Sequence, residues 1–330
     1  MDFTLSPDQE LLRDTARQLL QRECPPELLR AHIEDPAAAD PLWRHLRDFA
    51  ALGDGPLTDL SLFAEQTGYV AAPGPFFPTA ALFSPLLGML GHELLPPAVA
   101  GEITGTVAVA GADGTWQAND DRVKTFVPEA DRVDWVAVVS SGPAVTLVQS
   151  PSVRRVATVD FSRRMFEVGV GSGSGPAQSV DPEAFETVLE RATVALAAEM
   201  VGTARRLFDM ALAYAKERVQ FDVPIGSFQA IQHKLAEVAL DLERATSAVY
   251  YAAMAIDAKD ADRHRATHVA KAAAGTAATR AAKDGIQVHG GIGYTWEHDL
   301  HLFIRRAYGS EHWLGTRALH HDRLAELLAI

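Results

Sequence analysis

The chain has a single cysteine, Cys24, in 330 residues. One thiol excludes a disulfide framework and any thiolate zinc or iron–sulfur site, and a reducing compartment is the simplest setting for it. Basic excess is missing as well: 30 Lys and Arg stand against 43 Asp and Glu, a net charge of −13. Such a surface repels a phosphate backbone, which excludes a general nucleic-acid binder. An anionic small molecule is still compatible, because a few arginines in a cleft override the global sign. Long apolar runs are absent too. The most apolar early stretch, 80–95, is interrupted by Pro85, Gly88, Gly91 and His92 and falls short of a membrane span. The opening MDFTLSPDQE has neither a basic nor an apolar leader region, so no signal peptide is expected, and a cytoplasmic protein without a membrane partner is. What is present is ordinary globular composition, 48% apolar and 22% charged, at a length that calls for two or three cores.

Three zones differ in texture, and they predict a mainly α protein with a small β domain: 1–100 helical, 101–181 antiparallel β, 182–330 a four-helix bundle. Ser6, Pro7 and Gln9 form a capping-box pattern ahead of Leu11, Leu12, Ala16, Leu19 and Leu20 at helical spacing, and Pro25-Pro26 reads as the stop. Further helices are expected over about 41–52 and 59–70, with Pro73, Pro75 and Pro78 marking an irregular exit. Short β-branched runs at 106–110, 135–139, 144–149 and 153–159, divided by Gly, Asp and Ser-Gly turns, predict the strands. The segment 169–179, GVGSGSGPAQS, has linker composition. Helices are then predicted over 183–217, 227–258, 262–288 and 299–328, rich in small residues that permit close approach.

Three runs carry candidate chemistry. Around Arg218, a helix ends and another restarts after Pro224-Ile225-Gly226, so an arginine sits beside a helix N-terminus, a plausible anion site. By itself the pattern is equally a surface arginine at a helix–loop–helix corner. Gln287-Val-His-Gly290-Gly291-Ile-Gly293-Tyr294 follows a helix, which excludes a dinucleotide fingerprint or a P-loop; its glycines either admit a ligand close to the backbone or simply stop the helix. Glu190-Arg191 places a carboxylate on a largely apolar helix, either a general base or a charge that compensates the helix dipole. His298, His301 and Glu297 lie close in sequence, yet nothing fixes them at one point, and no metal site is expected.

Taken together, YAKERVQFDVPIGSFQAIQHKLAE (214–237) and QVHGGIGYTWEHDLHLFIRRA (287–307) resemble an acyl-CoA dehydrogenase, and VLERATVALAAEMVGTA (188–204) supports the likeness. The resemblance covers about 180–330 best and the β region least. It implies the family fold, FAD and an acyl-CoA substrate: a carboxylate removes the α-proton, a β-hydride passes to flavin, and a trans-2-enoyl thioester leaves. It implies that Arg218, Gln220, Phe221, Ile225, Phe228, Gln287, Gly290 and Gly291 hold the adenosine and pyrophosphate end of FAD across a subunit interface. Asp222 departs from the glycine usual at its place.

Other departures set the expected roles. Where many members carry a catalytic Glu-Gly-Thr, this chain has Leu314-Gly315-Thr316. Other members carry the base before an Arg on the first bundle helix, and Glu190-Arg191 matches that arrangement, with Glu190 as base and Arg191 at the substrate thioester. The usual flavin-ring strands, of Thr-Glu-Pro and Trp-Ile-Thr type, are replaced by 107–116 and 123–135. A chain that keeps what it would lend to a neighbour's FAD, and has lost what would hold its own, resembles the smaller subunits of heteromeric acyl-CoA dehydrogenases, some of which act on sterol side chains. The expected assembly is a heterotetramer with a second dehydrogenase subunit, or a homo-oligomer, with an electron-transferring flavoprotein as a possible acceptor. The alternative is a non-catalytic partner that completes another chain's FAD site, and a third reading is oxygen-dependent flavin chemistry on the same fold.

Overall fold

A computed structural model describes residues 3–171 and 176–329. Helices α1 (Pro7–Glu23), α2 (Pro26–Glu34), α3 (Asp40–Leu46), α4 (Leu57–Tyr69), α5 (Ser84–Leu90) and α6 (Leu95–Val99) come first. Seven strands follow: β1 (Gly105–Ala108), β2 (Val123–Pro128), β3 (Trp135–Ser140), β4 (Ala144–Val148), β5 (Ser152–Val156), β6 (Met165–Gly169) and β7 (Gln178–Ser179). Helix α7 (Pro182–Glu217) is joined by the two-residue strands β8 (Val219–Gln220) and β9 (Val223–Pro224) to α8 (Gln229–Asp257). Then come α9 (Arg263–His289), α10 (Leu300–His312) and α11 (Arg317–Leu328).

The chain divides into two compact units. One gathers the residues up to Leu29, Ser61–Ala72 and those from Val194 onward; the other holds Arg30–Leu60 and Pro73–Thr193. In the first unit, α1 begins as its sequence dictates: the Ser6 hydroxyl accepts from the Gln9 amide at 3.2 Å, and the Ser6 amide donates to Gln9 Oε1 at 3.1 Å. Its bundle packs through small side chains. Ala252, Ala253, Ala255, Ala270, Ala274, Ala277, Ala278 and Ala281 are all buried. Between α8 and α9, Arg280 bonds both Asp241 (2.5 Å) and Glu237 (2.8 Å), and Lys234 bonds Asp284 (2.7 Å). The closest approach is between α4 and α7: a Cβ on Gly68 would stand 1.8 Å from Glu199 O, and one on Gly202 1.8 Å from Glu65 O. The two glycines remove the side chains that would hold these helices apart.

In the second unit, β1-β3-β4-β7 form one sheet and β2-β6-β5 another. Ala108, Val136 and Val138 of the first sheet and Val127, Phe166 and Val168 of the second share one core. The expectation of an antiparallel β domain needs one correction: β1 and β3 pair in parallel, Gly105 opposite Trp135, whereas the other pairings are antiparallel. A parallel neighbour requires a long connection, which no turn signal announces.

Several further expectations change. Pro25-Pro26 stops α1 but also starts α2, because proline fits the first turn of a helix. The expected helix over 41–52 is α3 followed by a 3-10 stretch, Arg47–Gly53. The irregular exit after Val70 becomes a π-helical turn, Pro78–Phe83, running into α5. The run 299–328 breaks into α10 and α11 at Trp313–Thr316, where Leu314 (φ 56°) and Gly315 (φ 96°) turn left-handed. Of the linker 169–179, residues 172–175 lie outside the described residues. Among the described residues no helix is long and apolar enough to cross a membrane.

Candidate functional site

Arg218 follows the last residue of α7, and its amide still bonds Tyr214 O at 2.8 Å. The chain then reverses in the β8–β9 hairpin, Val219 opposite Pro224 and Gln220 opposite Val223. Phe221 and Asp222 form the turn with φ of 57° and 66°. Two consecutive left-handed residues are the signature of a type I′ turn, whose twist matches that of the strands. Asp222 therefore stands where glycine costs least, and its short polar side chain is among those that tolerate the conformation. The Ile225 amide closes the hairpin onto Arg218 O at 2.8 Å.

Helix α8 starts next, with Phe228 as its N-cap residue. No side chain caps it, and its first turn has no acidic residue. Its leading N–H groups and the positive end of its dipole are left to solvent or to a ligand. Arg218 is exposed, as are Gln220, Phe221 and Phe228. Phe221 is 87% exposed and meets Phe228 edge-on at 6.1 Å.

The second run lies against the first. Helix α9 ends at His289, and Gly290 turns out of it with φ 64° and ψ −143°, a region essentially open to glycine alone. Added Cβ atoms on Gly290 or Gly291 would meet nothing within 4 Å, so the backbone there presents a bare face. Gln287 is exposed on the last turn of α9. Val288 is buried against Ala211, Ala215 and Leu235, with Tyr214, Ile225 and Ile231 packed on the same cluster. The Tyr214 and His289 rings stack at 4.5 Å and 25°. All eight residues that the family resemblance singled out thus gather at one corner of the bundle. An exposed guanidinium, two amide side chains, an uncapped helix start and bare glycine backbone form a donor set suited to an anion flanked by a flat ring.

Glu190 and Arg191 belong to the other unit. Glu190 is only 5% exposed, on a stretch of α7 where Phe185, Val188 and Ala192 are also buried. It lies in the third turn, so it does not compensate the helix dipole, an effect confined to the first turn, where Glu183 sits. Compensation of the helix dipole is therefore not the role of this carboxylate. Arg191 donates to Gly55 O at 2.8 Å and so spends part of its donor capacity on the backbone.

Where many family members carry a base, Leu314 is buried and held by its backbone. Lys271 Nζ donates to Gly315 O (2.8 Å) and Glu311 O (3.1 Å), and His320 Nε2 donates to Leu314 O (3.1 Å). The loop after β1 is also tied by its own side chains: Asn119 Nδ2 donates to Val109 O at 2.9 Å, and Lys124 Nζ donates to Asn119 O at 2.6 Å and Oδ1 at 2.7 Å. His298 packs on His289 and His301 on Trp296, so the two histidines face different rings. Sequence reasoning did not single out Tyr214 or the buried His289; the aromatic pair flanking the two motifs was visible only as spacing.

Residues 183–329 match the family described as "Acyl-CoA dehydrogenase, C-terminal domain". The chain is 30% identical over 324 residues to the acyl-CoA dehydrogenase IpdE2 of Mycolicibacterium smegmatis, covering 94% of this chain and 96% of that one. Among solved structures it is similar to the ChsE4-ChsE5 complex from Mycobacterium tuberculosis, with TM-score 0.86, 25% identity and coverage of 100% of this chain and 99% of the matched one. It is also similar to a variant of the Tcur3481-Tcur3483 steroid ACAD, with TM-score 0.87, 26% identity and 99% of both chains covered. The sequence likeness runs nearly end to end and the fold agrees with it: the chain belongs to the acyl-CoA dehydrogenase family.

Proposed function

We propose that this chain takes part in the FAD-dependent α,β-dehydrogenation of an acyl-CoA thioester, with Glu190 as the base, as one subunit of a heteromeric enzyme. The observation that carries the reading is the burial of Glu190 at 5% exposure on an apolar stretch of α7, with helix-dipole compensation excluded by its position. An α-proton beside a thioester is too weakly acidic for a carboxylate in water, and one held away from water is a stronger base. Glu190 would take that proton on a carboxylate oxygen. Arg191, fixed through Gly55 O, would hold the start of α7 and keep a cation beside the thioester.

The Arg218 corner fits the diphosphate end of a dinucleotide. Arg218 supplies charge, the uncapped start of α8 supplies backbone donors, Gln220 and Gln287 supply amides, and Gly290 and Gly291 leave room a Cβ would take. When bound there or shared with a neighbouring subunit, FAD supplies the hydride acceptor. Phe221 at 87% exposure on the hairpin tip and Tyr294 at 73% at the end of the glycine turn favour a partner surface over this corner, because two large exposed rings at one corner are rarely left to water. The heteromeric arrangement, a bulky sterol-derived acyl group, an electron-transferring flavoprotein as acceptor and a cytoplasmic setting complete the reading, the first two by analogy with the ChsE4-ChsE5 complex and the steroid ACAD.

A second reading, a non-catalytic partner that completes another subunit's FAD site, is favoured by the loop after β1, whose polar groups bond one another. One variant separates the two. Glu190→Gln in the flavin-loaded enzyme, with its second subunit where one is needed, should abolish enoyl-CoA formation while the flavin spectrum stays unchanged. Turnover equal to wild type would overturn the assignment of Glu190 and leave the partner role.

A further inference from the structure

The Gly290–Gly291 face has no side chains of its own to hold it, and glycine is the residue with the most backbone freedom to lose. Its place is set by what lies beneath, which is Ile286, Leu300 and the buried His289. His289 is 4% exposed. Its Nδ1 lies 2.8 Å from Gly285 O, so Nδ1 carries the proton and donates. Burial, assisted by His298, holds its pKa below the usual histidine value, which keeps the ring neutral. On one side the ring stacks on Tyr214, four residues before Arg218; on another it meets His298 at 4.8 Å and 64°. A Cβ on Gly293 would stand 3.1 Å from His289 Cβ, 3.2 Å from Leu300 Cδ2 and 3.3 Å from Ile286 Cγ1, so the turn after Gly290 packs closely on the end of α9, at the residue that carries the ring. His298 is itself fixed, accepting from the Leu300 amide at 3.1 Å. One residue therefore links three segments: its imidazole touches Tyr214 near the end of α7 and His298 on the approach to α10, and its Cβ lies beneath the glycine turn.

We infer that His289 is the positioning residue of this corner, holding the Gly290–Tyr294 turn at a fixed distance from the Arg218 hairpin so that both address one diphosphate. The inference rests on the cofactor reading above. The bond to Gly285 O fixes the ring's orientation and the stack on Tyr214 fixes its depth, whereas an alanine would keep the Cβ beneath the turn but lose the ties to α7 and to His298. Preorganised donors contribute by sparing the ligand the cost of ordering them, and a site loosened by about 1 Å forfeits that gain.

The test compares wild type with His289→Ala and His289→Phe, the latter keeping a ring against Tyr214 without the bond to Gly285. In His289→Ala, amide exchange at Gly290–Tyr294 should rise by about tenfold while exchange at Ala274–Ala278 in mid-α9 stays at the wild-type rate. The FAD dissociation constant, measured by flavin fluorescence on the chain with its second subunit where wild type requires it, should rise by about the same factor. His289→Phe should recover most of both. Unchanged exchange in His289→Ala overturns the positioning role. A loosened turn with unchanged FAD affinity overturns its link to the cofactor. Wild type that binds no FAD in either assembly overturns the cofactor reading beneath it, a result distinct from either of the others.

Discussion

Gly202→Ala offers a test in which two effects have opposite signs. In the interior of a free helix, Gly to Ala stabilises by about 1 kcal/mol. Here the new Cβ would stand 1.8 Å from Glu65 O and 2.8 Å from Tyr69 N, backbone atoms that have no rotamer to move into. Ordinary contact begins at 3.4 Å, so α4 and α7 must separate by roughly 1.5 Å. That separation strains the bond from Thr203 Oγ1 to Gly68 O, now 3.0 Å, and opens the reciprocal contact at Gly68. Overpacking costs about 1–3 kcal/mol and the weakened buried hydrogen bond up to about 1 kcal/mol more; set against the gain of about 1 kcal/mol, the net effect is a loss of about 1–3 kcal/mol. For a chain of this length that corresponds to a fall of about 1–4 °C in Tm, read by near-ultraviolet circular dichroism. Gly275→Ala is the control, since its Cβ would meet Arg317 Cβ at 3.5 Å and Glu311 Cγ at 3.6 Å; it should melt at or slightly above wild type. A Gly202→Ala protein as stable as wild type would refute the close crossing.

Two further outcomes follow from buried and turn residues. His268 and His320 meet Nδ1 to Nδ1 at 2.8 Å, and because His320 Nε2 donates to Leu314 O, His268 must be the donor of the pair. Burial first, then neighbouring cations, holds His268 down at about 4 and His320 at about 3, against 6.5 for a free ring. The unfolded chain therefore binds more protons below pH 6.5, so the pair's contribution is intact above that value and is lost as the pH falls toward about 4. Denaturant titrations should show about 2–4 kcal/mol less stability at pH 5 than at pH 7, with a shallower slope in His268→Gln; an unchanged slope in that variant would contradict the pairing. Asp222→Gly should stabilise the β8–β9 hairpin by about 0.5–1 kcal/mol, seen as slower exchange at Gln220 and Val223, because glycine adopts φ 66° without strain. Faster exchange would mean that the turn is not type I′.

Much of the helical half was legible because its signals are local. The capping box at Ser6 and the alanine-rich runs of α7, α8 and α9 depend on neighbours within a turn or two, and those helices end within about two residues of the predicted limits. The misses have one cause. Prolines at 26 and 78 read locally as breaks, although proline opens a helix as readily as it closes one, and the choice depends on whether a buried partner waits downstream. Strands β2 and β6 carry no turn signals strong enough to mark them, and the parallel pairing of β1 with β3 is a relation between distant segments that no local pattern encodes.

The site divides in the same way. The sequence alone determined which residues are the candidates: the Arg218 run, the glycines at 290 and 291, and the absence of a carboxylate at Leu314 are matters of residue type and order. Tertiary structure decided what those residues are able to do. Sequence and resemblance make Glu190 a candidate base, but only the fold shows that its turn of α7 is buried and clear of the helix end, since sequence alone cannot tell a dipole-compensating carboxylate from a sequestered one. The two cofactor motifs became one corner only when Val288 and His289 closed on Tyr214 and Ala215, because side chains far apart in the chain are brought into contact by core packing and not by local preference.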